Sequence, residues 1–289
     1  MSPVLFLTQV LRISVPYLFA ASGGVVAERA GVVSLTLEGF MLTGAFTATL
    51  GDYYFGNPWL GILFGIAGGI VMSLIHAVAT IRYRADQVVV GIAINLLALG
   101  ITRFFLKLAF HSSSNSPRIL GIGGERSVSG LDNPLVWLGL LSVPLVWFVL
   151  YRTRFGLRVR AVGEHPEAAA SLGISVVRVQ YLAVVISGIL AGLGGVYLTL
   201  AQHQFTDGLT AGRGFIAISA VIFGRWEPFK AALACLLFAA AETLQIQLQG
   251  SHVIAGQFIE MIPYALVIIA LAGLVGRAVP PAALGKASH

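Results

Sequence analysis

Long apolar runs recur along this chain, and they constrain its fold more than any other feature. A helix needs about 20 mainly apolar residues to cross a bilayer. Runs of that kind lie near 4–26, 31–50, 58–80, 87–108, 134–151, 180–200, 229–249 and 256–276. A shorter apolar piece, Phe215–Phe223, is too brief to cross alone unless extended through Gly212. It reads as a half-helix or a re-entrant element buried in protein. The expectation is one all-α, polytopic transmembrane domain over 1–289 with about 8–10 membrane helices. Charged residues make up 10% of the chain, against about a quarter in a soluble domain, which excludes soluble folds.

Charge sets the orientation. The chain carries a net charge of +6, with its cations in short segments between apolar runs. That is the positive-inside pattern and no nucleic-acid signature. The richest segment is Arg152–Gln180, with Arg152, Arg154, Arg158, Arg160 and Arg178. Placing it in the cytoplasm also puts Arg29, Arg82, Arg84, Arg225, Lys230, Arg277 and Lys286 there. Arg12, Arg103, Lys107, Arg118, Arg126 and Arg213 are then left elsewhere. This predicts an outside N-terminus and an inside C-terminus, provided the short piece counts as a crossing. No basic segment precedes the first run, so it is expected to stay as an uncleaved anchor. The polar loop 111–133 falls outside and reads as a solvated connector, with contact to an external partner as the alternative. The tail 277–289, with Pro280-Pro281 and small residues after it, is expected to be disordered.

The basic loop contains a short helix with clear ends. Pro166 suits a first helical turn and Gly173 a left-handed stop. Glu167-Ala-Ala-Ala-Ser-Leu172 between them is mostly good helix former. Such a loop offers a docking knob to a cytoplasmic partner. Glycines at helical spacing, Gly61/Gly65/Gly69 and Gly188/Gly192/Gly195, predict close backbone approaches between helices.

Ionisable and amide groups inside spans are costly, and each is a functional candidate. Glu38 lies within Ser34-Leu-Thr36-Leu-Glu38-Gly39. It marks either a broken helix at a midplane site or a hydrogen-bonding anchor that holds helices together. Gln87, Gly91, Asn95, Ala98 and Thr102 share one small-and-polar helix face. That face either lines a pathway, with Asn95 the first candidate, or glues two helices. Glu242, Gln245 and Gln249 share another face, with Glu242 deepest; Gln257 and Glu260 fit a membrane interface. His76, alone on an apolar run, reads as packed rather than metal-bound. The single cysteine, Cys235, excludes a disulfide framework and a thiolate metal site. No nucleotide-binding P-loop and no hydrolase or zinc-protease motif is present. No catalytic residue, metal or cofactor is expected.

Four blocks of the sequence resemble one family. Glu167-Ala-Ala-(x3)-Gly173 resembles the EAA-x3-G loop of bacterial ABC importer permeases. Ala27-Glu-Arg-Ala-Gly-Val-Val-Ser-Leu-Thr-Leu-Glu-Gly-Phe-Met-Leu-Thr-Gly44 resembles a block of the nucleoside-type permeases, within the branched-chain amino-acid/ribose permease superfamily. Asp86–Thr102 and Gly212–Pro228 are similar to two further blocks, so the resemblance spans nearly the whole chain. It implies a type II-like importer fold in a bacterial cytoplasmic membrane, and this chain resembles the shorter of two different permease subunits. It also implies ATP hydrolysis by a partner ATPase and delivery by an external substrate-binding lipoprotein. By the same resemblance Glu164, Pro166, Glu167, Ala168, Ala169, Leu172 and Gly173 form the ATPase-coupling segment. Ser34, Thr36, Glu38, Gln87, Asn95, Thr102 and Glu242 are the substrate-pathway candidates. Where the family has Asn and Gly, this chain has Ser34 and Thr36, which bears on whether the solute is a nucleoside, a simple sugar or riboflavin. Two readings of other classes compete: an ion-coupled carrier using Glu38 and Glu242, and a membrane scaffold without transport.

Overall fold

A computed structural model describes residues 3–122, 132–249, 265 and 279–286. Apart from residue 265, the expected span 256–276, with Gln257 and Glu260, lies outside the described residues, as does Arg126. The helices are α1 (Pro3–Arg29), α2 (Leu37–Phe55), α3 (Pro58–Ala77, continued by a π turn over Val78–Arg82) and α4 (Gln87–Phe110). They continue with α5 (Pro134–Arg152), α6 (Arg154–Glu164), α7 (Pro166–Ser171), α8 (Val176–Gln202), α9 (Arg213–Phe223) and α10 (Pro228–Gln249). Six of these, α1, α3 with its π turn, α4, α5, α8 and α10, are long and apolar enough to cross a membrane. The chain is a multi-pass membrane protein.

Local chemistry sets the helix ends. The Asn57, Asp86 and Asn133 side chains each accept a hydrogen bond from a first-turn N–H, at 2.9 Å in every case. These caps satisfy amides that the helix itself leaves unpaired. Pro58 and Pro134 follow their caps at positions that need no N–H. Gly56 closes α2 at φ +59, a backbone conformation that costs glycine little.

The centre of the bundle is α2 packed between α3 and α8, and the glycines explain how close they come. A Cβ on Gly195 would stand 1.8 Å from the Met41 carbonyl oxygen, and one on Gly69 2.3 Å from that of Gly188. Both predicted glycine ladders are therefore backbone contact surfaces. In contrast, α4 buries only one face, through Gln87, Gly91, Ile94, Ala98, Thr102 and Leu106. Its other faces expose Val89, Leu96 and Phe104, as an apolar surrounding permits.

The structure departs from the sequence reading at three places. The run at 31–50 is not one helix: residues 30–36 are a non-helical break and α2 starts at Leu37. Hydropathy does not register the break because Val32, Val33, Leu35 and Leu37 keep the stretch apolar. Of the two readings of the short piece, the half-helix is the one seen, as α9. The chain leaves α8 at the end where His203 meets Leu120, and reaches α10 at the opposite end, where Trp226 meets Arg29. The leg 203–227 thus traverses the bundle, half as loop and half as α9. Eleven residues of helix give about 16 Å, half of the ~30 Å core. Residues 111–122 are not a free connector. Their amides at Ser116, Ile119 and Ile122 bond the carbonyls of Phe205, His203 and Leu200 at 2.9–3.2 Å. Residues 279–286 of the tail are docked rather than disordered. Ala283 N–H bonds Gly163 O at 2.9 Å, Gly285 N–H bonds Gly31 O at 3.2 Å, and Ala283 is buried. The described cations Arg29 and Arg152 lie at the ends of α1 and α5, which pack on α6, and Arg29 bonds Trp226 O in the turn that carries Arg225.

Candidate functional site: the broken helices and their polar clamps

The second interruption, 203–212 before α9, ends against Glu38 in the first turn of α2, just past the first interruption at 30–36. A break leaves backbone donors and acceptors without helical partners, and these must be satisfied away from water. Side chains from distant segments do so.

Glu38, in the first turn of α2, reaches the start of α9. Its Oε1 accepts from the Thr210 hydroxyl at 2.5 Å and Gly212 N–H at 2.9 Å. Its Oε2 accepts from Gly214 N–H at 2.6 Å. A carboxylate at a helix N-terminus also sits where the helix dipole is positive. Both oxygens are therefore engaged in holding α9. Close by, Arg213 donates to Glu242 Oε1 at 2.8 Å and to the carbonyls of Leu209 and Thr210 at 3.3 and 3.5 Å. The Tyr17 hydroxyl donates to the other oxygen of Glu242. Arg213 and Glu242 are both largely shielded, and such a pair is retained only when its remaining polar atoms find partners; here Tyr17 and two carbonyls supply them.

Asn95 and Gln87 splint the first break. Asn95 Oδ1 accepts from Gly39 N–H at 2.9 Å, and its amide donates to Leu35 O at 2.8 Å. Gln87 Oε1 accepts from Val33 N–H at 2.7 Å. Thr102, on the same α4 face, bonds back to Ala98 O at 2.8 Å. Ser34 donates its hydroxyl at 2.7 Å and its N–H at 3.2 Å to Glu28 Oε1. Thr36 is fully buried, and its hydroxyl makes no hydrogen bond among the described residues. The structure thus brings Ser34, Glu38, Gln87 and Asn95 together around one seam, each already hydrogen-bonded within the chain. Glu242 stands at the other side of α9, and Thr102 faces α2 further along α4.

A second polar knot lies at the α7 end. Glu28 Oε2 accepts from Trp226 Nε1 at 2.5 Å, and Arg29 Nε donates to Trp226 O at 2.8 Å. Arg29 also stands 3.9 Å from Glu164, while Glu164 accepts from Ala282 N–H at 3.4 Å. The turn after α9, the break before α2, and α6 are thereby tied to one another. The segment implied to couple follows at once. Pro166 opens α7, Ala169 is its buried foot, and Gly173 closes the turn at φ +78. Glu167 and Ala168 are exposed, and Leu172 is 81% exposed. A groove of about 750 Å³ runs between α7 and the docked segment at Ala282, Ala283 and Lys286. Among the described residues no group of three or more His, Cys, Asp and Glu side chains could hold a metal ion.

Tyr17, Glu28, Thr210, Arg213 and Trp226 were not singled out from the sequence as site residues. Arg213 is among the cations that the orientation leaves off the cytoplasmic side, and hydropathy gives no hint that its glycine-flanked position is inside the bundle. The available signal was its complement: one arginine at a half-helix start and one glutamate deep in the following span.

Residues 6–274 match a family model described as branched-chain amino acid transport system / permease component. Among curated proteins, the guanosine ABC transporter permease protein NupQ of Bacillus subtilis is 42% identical, the alignment covering 93% of this chain and 92% of NupQ. The nucleoside ABC transporter permease protein NupC of Lactococcus lactis is 37% identical, covering 97% of this chain and 95% of NupC. Among solved structures, a metal-chelate type ABC transporter in an inward-facing conformation superposes with a TM-score of 0.52 at 14% identity. That match covers 93% of this chain and 85% of the other, a likeness of fold.

Proposed function

The chain belongs to the branched-chain amino acid transport system / permease component family, and from that premise we propose that it is one permease subunit of an ATP-driven importer of nucleosides. Membership implies a second permease and an ATPase as partners. The finer reading makes that second permease a different chain, places α7 in the cytoplasm against the ATPase, and has an external lipoprotein deliver the solute. It also places the assembly in a bacterial cytoplasmic membrane. The solute class follows the nucleoside permeases this chain resembles over almost its full length.

The observation that carries the coupling is α7 itself. An exposed apolar side chain, Leu172, tops a short helix whose foot, Ala169, is buried. Such a knob is suited to act as a rigid lever. Motion of α7 and α6 passes through Glu164 and the docked 282–285 segment to Arg29 and Gly31. From there the Glu28–Trp226 bond reaches both the first break and the turn after α9. The expected mechanism is alternating access, in which rigid helices shift together and the clamped half-helix moves with them. The protein makes and breaks no covalent bond.

Glu38 and Glu242 are committed to helix clamping and an ion pair, which leaves the ion-coupled carrier without a free carboxylate at either position. The test is co-purification of the tagged chain from native membranes, then nucleoside uptake by the recovered assembly. Recovery of a P-loop ATPase with a second permease, and ATP-dependent nucleoside uptake, supports the reading. Uptake of a pentose or of riboflavin in place of nucleosides would correct the solute class. Ion-driven uptake by the chain alone would overturn the reading.

A further inference from the structure

A cavity of about 280 Å³ opens between α1, α8, α10 and the start of α9, in the half of the bundle away from α7. Its polar lining is Gln9, Arg12, Tyr197, Gln202 and Arg213, and the remainder is apolar, with Ile246 on the α10 side. Small-ligand sites run from roughly 300 to 1,000 Å³; at about 280 Å³ this cavity lies just below that range and fits one ring of a solute rather than a large molecule.

Its polar groups are unequally committed. Arg213, at the floor, is already held by Glu242 and two carbonyls. Arg12 stands beside the hydroxyl of Tyr197 in the cavity wall, and among the described residues it pairs with no carboxylate. The side-chain oxygen of Gln9 is shielded from solvent and has no hydrogen-bond partner among the described residues. A guanidinium without a carboxylate partner and an orphan acceptor beside it, against an apolar wall, describe a recognition surface. A buried polar atom without a partner is expensive, and a solute that donated to the Gln9 oxygen would relieve that cost. The planar guanidinium fork matches two adjacent acceptors on one ring edge, as it does on the O6/N7 edge of guanine.

We propose that this cavity is a solute subsite in which Arg12 binds the paired-acceptor edge of an oxo-purine nucleoside and Gln9 accepts from the same solute. The inference rests on the importer reading above and adds a specificity-determining residue to it. Because Arg213 forms the floor and also the first residue of α9, an occupied subsite touches the half-helix that the Glu38 clamp holds.

The test uses the assembled transporter, with both permeases and the ATPases in nanodiscs and the external component omitted. Equilibrium binding of tritiated guanosine and tritiated adenosine is measured. The expected result is saturable binding that favours guanosine. Arg12→Gln weakens guanosine binding at least tenfold, about 1.4 kcal/mol, and narrows the guanosine-to-adenosine ratio. Ile246→Trp, which fills the cavity without touching a charge, weakens both nucleosides alike. Should Arg12→Gln fail to assemble, Gln9→Glu is read instead: its carboxylate engages the donors of Arg12 and is expected to lower guanosine binding. Unaltered binding in the assembled variants overturns the subsite. So does absence of binding to the unsubstituted assembly when the complete system with its external component still takes up guanosine, and there the importer reading stands. If the complete system takes up no nucleoside at all, the importer reading fails instead.

Discussion

Replacing Glu38 with Gln tests whether the start of α9 is held by a carboxylate. The carboxylate accepts from the Thr210 hydroxyl and the N–H groups of Gly212 and Gly214. An amide of the same shape has one oxygen, so however it turns, an NH₂ group faces at least one donor. One hydrogen bond to a charged acceptor is lost, at about 1.5–3 kcal/mol. The helix-dipole contribution at the α9 N-terminus also goes, at about 0.3–1 kcal/mol. The expected local cost is about 2–4 kcal/mol, concentrated at residues 210–216. Hydrogen exchange of the assembled transporter in nanodiscs reads this directly. A loss of about 2 kcal/mol corresponds to roughly 30-fold faster exchange at Gly212 and Gly214. Thr210→Val should couple to Glu38→Gln by about 1–2 kcal/mol in a double-mutant cycle, because the two side chains share one contact. Nucleoside uptake should fall while the assembly stays intact. Unchanged exchange across 210–216, together with lost uptake, would refute the clamp and return Glu38 to direct solute contact.

Three further outcomes follow from other parts of the molecule. Gly195→Ala would drive a methyl against the Met41 carbonyl and should destabilise the assembly by about 1–3 kcal/mol. Gly100→Ala, on the open face of α4 where nothing stands within 4 Å, should be neutral or stabilising by up to about 1 kcal/mol; equal unfolding midpoints for the two would contradict the packing. Leu172→Asp should leave the fold intact and abolish uptake, because this 81% exposed side chain has no intrachain packing to lose; normal uptake with normal stimulated ATPase activity would move the docking surface elsewhere. Trp226→Phe keeps an aromatic side chain but removes a hydrogen bond to the buried Glu28 carboxylate, costing about 1–3 kcal/mol. Its signature should be ATPase activity that persists while uptake drops, measured side by side in proteoliposomes.

Much of the architecture was legible in the sequence because bilayer thickness dictates run length. The runs at 58–80, 87–108, 134–151 and 229–249 end within about two residues of α3 with its π turn, α4, α5 and α10. Helix punctuation was equally readable: Pro166 and Gly173 bracket α7 because one needs no N–H and the other tolerates a positive φ. The break at 30–36 was hidden, since amides sixty residues downstream hold it and hydropathy averages over it. Glu38, Asn95 and Gln87 stood out as polar residues in apolar runs. What they bind is a matter of tertiary register, which spacing on a single helix does not contain. Arg213 was missed for the converse reason: it sits next to glycines that read as a loop, while the loop itself is folded into the bundle. The helix α6 reads in sequence as part of a basic loop because its arginines mask a helical run of ordinary residues.

The docked segment at 282–285 has a consequence for how this protein is recognised as finished. The surface beside α7 is assembled from Glu164–Ala168 on one side and Ala282–Lys286 on the other, and Gly285 is seated on Gly31 near the opposite end of the sequence. No local stretch of chain displays that surface by itself. An ATPase that grips α7 and its flanking groove would therefore bind only a chain whose early and late segments have already come together. Docking would then serve as an inspection step in assembly, sparing the cell an ATPase engaged on a half-folded pore.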